Sequence, residues 1–150
     1  WSKGAHAFRM GGELRMTLPL VVYRRSIDRR IRLARPEDKA VVVAIANEAF
    51  APKDRTIWVQ EAFVRDDRVV WVCDDGGEIN GFVILRVDKD ALVIDLIGAR
   101  KKRWGVGRSL IEAVSQDAPK SLTHIRAGTH FENYGAQAFY EALGFEQCSQ

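Results

Sequence analysis

The spacing of apolar residues in the first third of the chain predicts one strand followed by two helices. Apolar and polar residues alternate over 31–34, which is the period of a strand with one buried face. Pro36 follows with two acidic residues after it, the usual start of a helix. That helix places its apolar residues on one side, at Val41, Val42, Ile45 and Ala49. A break at 51–54 separates it from a weaker helix predicted over 57–64.

From residue 69 onward the apolar period changes to that of strands joined by short turns. Three strands of an antiparallel meander are predicted first, over 69–73, 79–87 and 91–97. The chain then alternates between helix and strand, at 107–118, 124–128, 133–143 and from Phe145 onward. This order predicts a three-layer α+β fold, in which a mixed, mostly antiparallel sheet carries helices on both faces.

Residues 1–29 are predicted to be a basic extension that precedes a globular domain over residues 30–150. Residues 1–16 show no clear period and include three glycines, so we expect them to be flexible. The apolar residues 17–23 are expected to form an edge strand or to dock on the domain. Residues 1–35 carry nine Lys or Arg against two acids, and the rest carries fourteen against eighteen. The extension is therefore an inert tail, a remnant of cloning or an arm that contacts nucleic acid.

The composition argues against several classes of protein. A chain of 150 residues with 47% hydrophobic and 29% charged residues is typical of one soluble globular domain. No apolar run approaches the roughly 20 residues that cross a bilayer, and no secretory signal pattern is present. Two cysteines are too few for a disulfide framework or a zinc site, and Cys73 is expected in the core. We predict a reduced, cytoplasmic protein with no metal, no membrane partner and no nucleic-acid partner for the folded domain.

A basic turn at 102–108 leads directly into the predicted third helix. Gly105 and Gly107 let the backbone approach a ligand closely, and the first turn of a helix leaves N–H groups without partners. Together with Lys102 and Arg103, these donors suit a pyrophosphate, at roughly 0.3–1 kcal/mol for each favourable charge contact. The alternative is a tight turn whose basic flank faces solvent, and the residues alone leave both interpretations open.

A second segment places a phenol on a helix that ends at a glycine. Ala136, Phe139, Tyr140 and Leu143 share one helical face, and Gly144 follows them. Tyr140 is therefore either an aromatic core residue or a group that takes part in proton transfer. Spacing alone does not separate these two roles.

In this order, the two segments resemble the acyl-CoA-dependent GNAT N-acyltransferases. The family's loop begins with glutamine or arginine and often has glycine second, where this chain has Lys102 and Arg103. Residues 79–83, around Gly81, resemble the family's third strand. The second segment matches every characteristic family position, namely Asn133, Ala136, Tyr140, Gly144 and Phe145. Over roughly residues 30–150, the resemblance implies an α/β/α sheet with a central splay that admits acetyl-CoA.

The resemblance also implies acetyl-CoA as co-substrate and direct attack of an amine on the thioester. Tyr140 is then the general acid that protonates the departing thiolate, which contributes roughly 10²–10⁴-fold to the rate. The residues implied to contact the cofactor are Ile97, Gly98, Lys102, Arg103, Trp104, Gly105, Val106, Gly107, Arg108, Ser109, Asn133 and Tyr140.

The amine must lose a proton before it attacks. A lysine-like amine with a pKa near 10.4 is only about one part in 10³ neutral at pH 7. Asp95, an acid in an otherwise apolar strand, is the first candidate for the base, and a surface acid without catalytic role is the alternative. His130 and Glu48 are weaker candidates. The acceptor is expected at residues 47–58 and stays open among amino sugars, small amines and peptide amines.

One departure from the family concerns the end of the sheet. The family's sheet closes with a further strand after the one near Phe145, whereas this sequence ends at Gln150. Either that strand is missing, or residues 17–23 or a neighbouring chain take its place, and a homodimer is left open. A non-catalytic module that binds acyl-CoA or a partner is therefore the second functional hypothesis.

Overall fold

The computed structural model describes residues 13–19, 28–100, 105–130 and 134–148, which form a seven-stranded sheet with helices on both faces. Its strands are β1 (Glu13–Pro19), β2 (Ile31–Leu33), β3 (Val69–Asp75), β4 (Glu78–Asp88), β5 (Ala91–Ala99), β6 (His124–His130) and β7 (Glu146–Cys148). Its helices are α1 (Lys39–Ala49), α2 (Thr56–Val64), α3 (Val106–Asp117) and α4 (Tyr134–Ala142). A 3₁₀ turn over Pro36–Asp38 leads into α1, so that helix begins three residues later than Pro36 predicts.

The strands lie in the order β2-β3-β4-β5-β6-β1-β7. Every pair of neighbours runs antiparallel except β5 and β6, which run parallel. The expected mixed, mostly antiparallel sheet with helices on both faces is thereby confirmed. The parallel pair matters most for function, because its two strands leave the pairing partway along their length.

Strand β1 is the main difference from the expectation. It spans Glu13–Pro19 instead of 17–23, and it lies between β6 and β7 instead of at an edge. Met16 and Leu18 explain its position, since they alternate with polar residues and are 0% and 3% exposed. The expected flexibility is wrong for residues 13–16, whereas residues 1–12 and 20–27 lie outside the described residues. Of the alternatives for completing the sheet, the structure supports a strand supplied by this chain.

Helices α1 and α2 cover one face of the sheet, which we call the α1–α2 face. Their buried residues Val42, Ile45 and Val59 pack with side chains of β3, β4 and β5, among them Val72, Phe82, Ile84 and Leu96. A chain of hydrogen bonds fixes the start of this layer, because the Asp38 carboxylate accepts from Arg32 Nη1 at 2.8 Å and from the Arg35 amide at 2.7 Å.

Helices α3 and α4 cover the opposite face, the α3–α4 face. Leu110, Ile111 and Val114 of α3 and Tyr140 of α4 share one core with side chains from β4, β5, β6 and β1, such as Val83, Ile94, Ile125 and Met16. Cys73 is fully buried in this core as expected, and burial raises the pKa of its thiol. None of the helices in the described ranges is both long and apolar enough to cross a membrane.

Candidate active site

A cleft opens in the middle of the sheet where β5 and β6 part. Residues 91–94 of β5 pair with residues 124–127 of β6. Beyond these four pairs, and within the ranges that the structure describes, β5 continues to Ala99 beside β4 alone, and β6 continues to His130 beside β1 alone. Two neighbouring strands that separate expose backbone N–H and C=O groups on both sides of a gap. The structure therefore contains the splay that the family resemblance implies.

A bulge in β5 lies at the point where the cleft begins. Leu85 of β4 pairs with Ile94, but the next residue back, Ile84, pairs with Leu96. Asp95 is therefore the extra residue of β5, without a partner on β4. It directly follows Ile94, the last residue that pairs with β6. We call this point, where the bulge of β5 lies and where β5 and β6 separate, the narrow end of the cleft.

The first turn of α3 lies just beyond the wide end of the cleft and has the geometry of an anion site. Gly105 caps the helix with φ of +67°, and a Cβ added there would meet no atom within 4 Å. The first helical hydrogen bond runs from the Ser109 amide to the Gly105 carbonyl oxygen at 2.9 Å. The amides of Val106, Gly107 and Arg108 precede this bond and are the donors that a helix start offers to a phosphate.

Two glycines near this helix are required by packing. A Cβ on Gly107 would lie 2.8 Å from the ring of Phe139, so this glycine lets α3 and α4 approach each other. A Cβ on Gly81 of β4 would lie 2.5 Å from Val106 Cγ1, which fits the close contact expected for that strand glycine. In this geometry Gly105 is the loop glycine that faces open space, and Gly107 is the one that faces a neighbouring helix.

Ser109 lies near the protein's own Asp28, and its amide donates to the Gly105 carbonyl oxygen. Arg30 is the main partner of Asp28, with Nη2 2.7 Å from Oδ2, and it lowers the pKa of that carboxyl to about 2, with a smaller contribution from Ser109. Its contact to the cofactor stays a prediction, as do the contacts of Ile97, Gly98 and Arg108. The assignments to Lys102, Arg103, Trp104 and Asn133 lie outside the described residues.

Tyr140 lies in the core of the α3–α4 face, only 5% exposed. Its ring packs against Phe139 and Phe145 with centroids 5.2 Å away in each case. Burial raises the pKa of the phenol above its usual value near 10, and the hydroxyl carries its proton at neutral pH in either case. The packing of Tyr140 agrees with a role as an aromatic core residue. Its protonated hydroxyl also leaves a role in proton transfer open.

Asp95 lies at the sheet surface on the α1–α2 face, between two arginines. Its Oδ1 accepts from Arg86 Nε at 2.9 Å, and its Oδ2 lies 2.9 Å from Arg68 Nε. The side chain is 16% exposed. Neither arginine was a sequence-based candidate, because Arg68 and Arg86 are distant in the sequence and no local pattern links them to Asp95. Both carboxylate oxygens have guanidinium partners, so Asp95 arranges these arginines, and its role as the base stays a prediction.

A cavity of about 520 Å³ lies beside this ion-pair cluster. Its apolar side includes Ile57, Trp58 and Ile84, and its charged side includes Arg68, Arg86 and Asp95. Such a volume lies within the range of small-molecule sites. Trp58 belongs to the segment expected to hold the acceptor, and Arg55 stacks on its ring at 5.0 Å. Asp95 lines this cavity and also directly follows Ile94, where the pairing between β5 and β6 ends.

The remaining candidates contribute little to this site. Glu48 lies 3.7 Å from Arg100 Nε in an exposed ion pair. The side chain of His130 lies outside the described residues. Among the described residues, no group of three or more His, Cys, Asp or Glu is placed to hold a metal ion.

Comparison with known proteins identifies the family to which this fold belongs. The Acetyltransferase (GNAT) family matches residues 33–145, about three quarters of the chain. This chain belongs to the GNAT acetyltransferase family. The match to GNAT proteins begins after β1, so the strand that completes the sheet lies outside the matched segment. No curated protein sequence matches the chain.

Solved structures share the GNAT fold at low identity. A conserved protein of unknown function from Staphylococcus epidermidis has a TM-score of 0.72 at 15% identity, over 96% of this chain and 62% of that one. The ribosomal-protein-S18-alanine N-acetyltransferase of Escherichia coli has a TM-score of 0.67 at 22% sequence identity, and the match covers 79% of this chain and 77% of that one. An aminoglycoside 6'-N-acetyltransferase of Acinetobacter haemolyticus has a TM-score of 0.66 at 12% sequence identity, and the match covers 80% of this chain and 92% of that one. This GNAT chain thus spans less than two thirds of the Staphylococcus protein.

Proposed function

We propose that this chain is an N-acetyltransferase that moves an acetyl group from acetyl-CoA to a primary amine by direct attack. The observation that carries the proposal is the cleft between β5 and β6, which leads to the open first turn of α3. The amides of Val106, Gly107 and Arg108 hold the pyrophosphate, and the free backbone of β5 lines the cleft for the pantetheine. The left-handed Gly105, with open space at its Cα, fits such a ligand.

The reaction forms one bond and breaks one. The amine nitrogen bonds to the carbonyl carbon of the thioester as the carbon–sulfur bond breaks, and the nitrogen loses a proton. Tyr140 gives its proton to the departing thiolate and regains one from solvent. A phenol is protonated at neutral pH, as the donor in this step must be. No cysteine nucleophile is needed, since the transfer is direct.

The acceptor amine enters from the α1–α2 face, where the cavity beside Asp95 meets the narrow end of the cleft. The cavity has an apolar wall at Trp58 and a charged wall with both signs, at Arg86 and Asp95. Its size suits a small amine better than a folded protein surface. The base that takes the proton from this amine is Asp95 or a water held by the ion-pair cluster.

Exchange of Tyr140 for Phe tests the proposal. We expect Tyr140→Phe to lower turnover on a panel of primary amines by roughly 10²–10⁴-fold, measured as free CoA thiol. Its affinity for acetyl-CoA should stay within about twofold, because the hydroxyl acts in the chemical step. Tyr134→Phe, the same change on the same helix, serves as the control and should keep both values. Wild-type turnover in Tyr140→Phe would remove the acid from the mechanism, and binding without turnover in every form would favour the non-catalytic module.

A further inference from the structure

Strand β1 organises the half of the sheet that borders the cleft. It pairs with β6 along all seven of its residues, from Glu13 opposite His130 to Pro19 opposite His124. It also pairs with β7, for which the described part of the chain shows no second strand partner. The strands β6, β1 and β7 therefore form one unit with β1 at its centre.

Among the described residues, this unit is joined to the rest of the sheet at the narrow end of the cleft. Residues 91–94 pair with residues 124–127 there, and the ion pair between Arg126 Nη2 and Asp88 Oδ2, 2.6 Å apart, crosses β5. Toward the wide end of the cleft, the last residues of β6 pair with β1 alone among the described residues. A strand that has lost its pairing partner no longer has a fixed position in a sheet, because its place is set by the hydrogen bonds to that partner. Strand β1 is thus the described partner that fixes the position of the end of β6.

Leu18 links β1 to the helix that carries the proposed acid. A Cβ added to Gly144 would lie 3.3 Å from Leu18 Cδ1, so the leucine packs directly against the end of α4. At this end the Phe145 amide donates to the Tyr140 carbonyl oxygen at 3.0 Å. Leu18 and Tyr140 belong to one buried core. A shift of β1 therefore reaches both walls of the site, the cleft and the acid.

We propose that Leu18 is a positioning residue for the acyl-CoA site, and that docking of β1 is coupled to binding of acetyl-CoA. The inference rests on the proposed function. It adds that the cofactor site depends on β1, a strand outside the segment that matches the family. Release of β1 leaves the end of β6 without its described strand partner, so that this wall of the cleft loses its fixed position, and it removes the packing at the end of α4. Coupling of two equilibria is reciprocal, so acetyl-CoA must also stabilise the docked strand.

Affinity for acetyl-CoA in two matched variants of the whole chain tests this proposal. Leu18→Ala should raise the dissociation constant about tenfold, within the range of typical coupling between sites. Leu122→Ala makes the same change in the same core but outside both β1 and the cleft strands. It should alter the dissociation constant less than about twofold. Equal effects in the two variants, or no effect in either, would overturn the role of Leu18.

Hydrogen exchange in the wild-type chain gives a second test that no folding defect can obscure. Saturating acetyl-CoA should slow amide exchange at residues 15–18 at least about fivefold more than at β2, on the far edge of the sheet. No such difference would overturn the coupling. A wild-type chain that fails to bind acetyl-CoA would refute the proposed function, whereas binding without protection of β1 refutes only this inference.

Discussion

At the level of single residues, the two side chains assigned to proton transfer have opposite surroundings. Tyr140 packs against two aromatic rings on the α3–α4 face, where burial raises the pKa of its phenol. Asp95 lies on the α1–α2 face with a guanidinium on each carboxylate oxygen. A buried donor on one side of the cleft and a charged cluster on the other suit a reaction that gives a proton to sulfur and takes one from nitrogen.

Asp95→Asn separates the structural role of this residue from a catalytic one. We expect it to lower the free energy of unfolding by about 1–3 kcal/mol, because two partly buried ion pairs lose their anion. Urea denaturation measures this loss. Asp67→Asn is the control, since Asp67 also contacts Arg68 but is 55% exposed, and it should destabilise the chain less than Asp95→Asn does.

The kinetic comparison uses Arg86→Gln beside Asp95→Asn. If Asp95 acts only by arranging arginines, the two variants should raise the KM for the acceptor alike, with similar kcat. If Asp95 is the base, only Asp95→Asn should lower kcat by more than about 10²-fold. Equal stability of Asp95→Asn and Asp67→Asn would contradict the ion-pair role drawn from the structure.

At the level of elements, the contact between α3 and α4 joins the anion site to the helix of Tyr140. Gly107→Ala should lower the free energy of unfolding by about 1–3 kcal/mol, because the new methyl group would lie 2.8 Å from the Phe139 ring. Chemical denaturation measures the loss. In a Phe139→Leu background the smaller side chain relieves the contact, so the cost of Gly107→Ala should shrink. An equal cost in both backgrounds would contradict the packing role of Gly107.

The sequence alone predicted most helices and strands, but not the contacts between distant ones. Apolar period and turn residues predicted the meander, α3, β6 and α4 closely, because each is a local pattern that its own burial enforces. Strand β1 begins four residues earlier than predicted, because the mostly apolar segment 17–23 is conspicuous whereas the buried side of the strand is marked by Met16 and Leu18. The partners of Asp95 and the cavity could not be predicted, since they depend on β-strand register and on α2, which bring distant residues together.

At the level of the whole molecule, stability should depend on pH through paired carboxylates. The folded-state pKa of Asp28 is lowered from 3.8 to about 2, chiefly by Arg30. A lowered pKa contributes stability above the unfolded value, and this contribution is lost as pH falls from about 4 to 2, since the unfolded chain then binds more protons. Asp28→Asn should therefore weaken the acid decline in that window and lower stability at pH 7 by about 1–2 kcal/mol.

Urea denaturation from pH 2 to pH 7 measures this effect. The control is Asp117→Asn at the end of α3, an exposed carboxylate for which the described part of the chain shows no ion pair. It changes the net charge equally and should leave the acid decline nearly unchanged. An identical pH profile for wild type and Asp28→Asn would mean that the pair with Arg30 does not stabilise the fold.

The central claim is that the cleft and the first turn of α3 form an acyl-CoA site, and titration calorimetry with acetyl-CoA tests it most directly. We predict saturable one-to-one binding by the wild-type chain. Gly105→Val should weaken it at least about tenfold, since a branched side chain strains the left-handed cap and fills the space before the helix amides. Circular dichroism establishes that both samples are folded. A folded wild-type chain that shows no binding would contradict the account, and equal affinity in Gly105→Val would place the cofactor elsewhere.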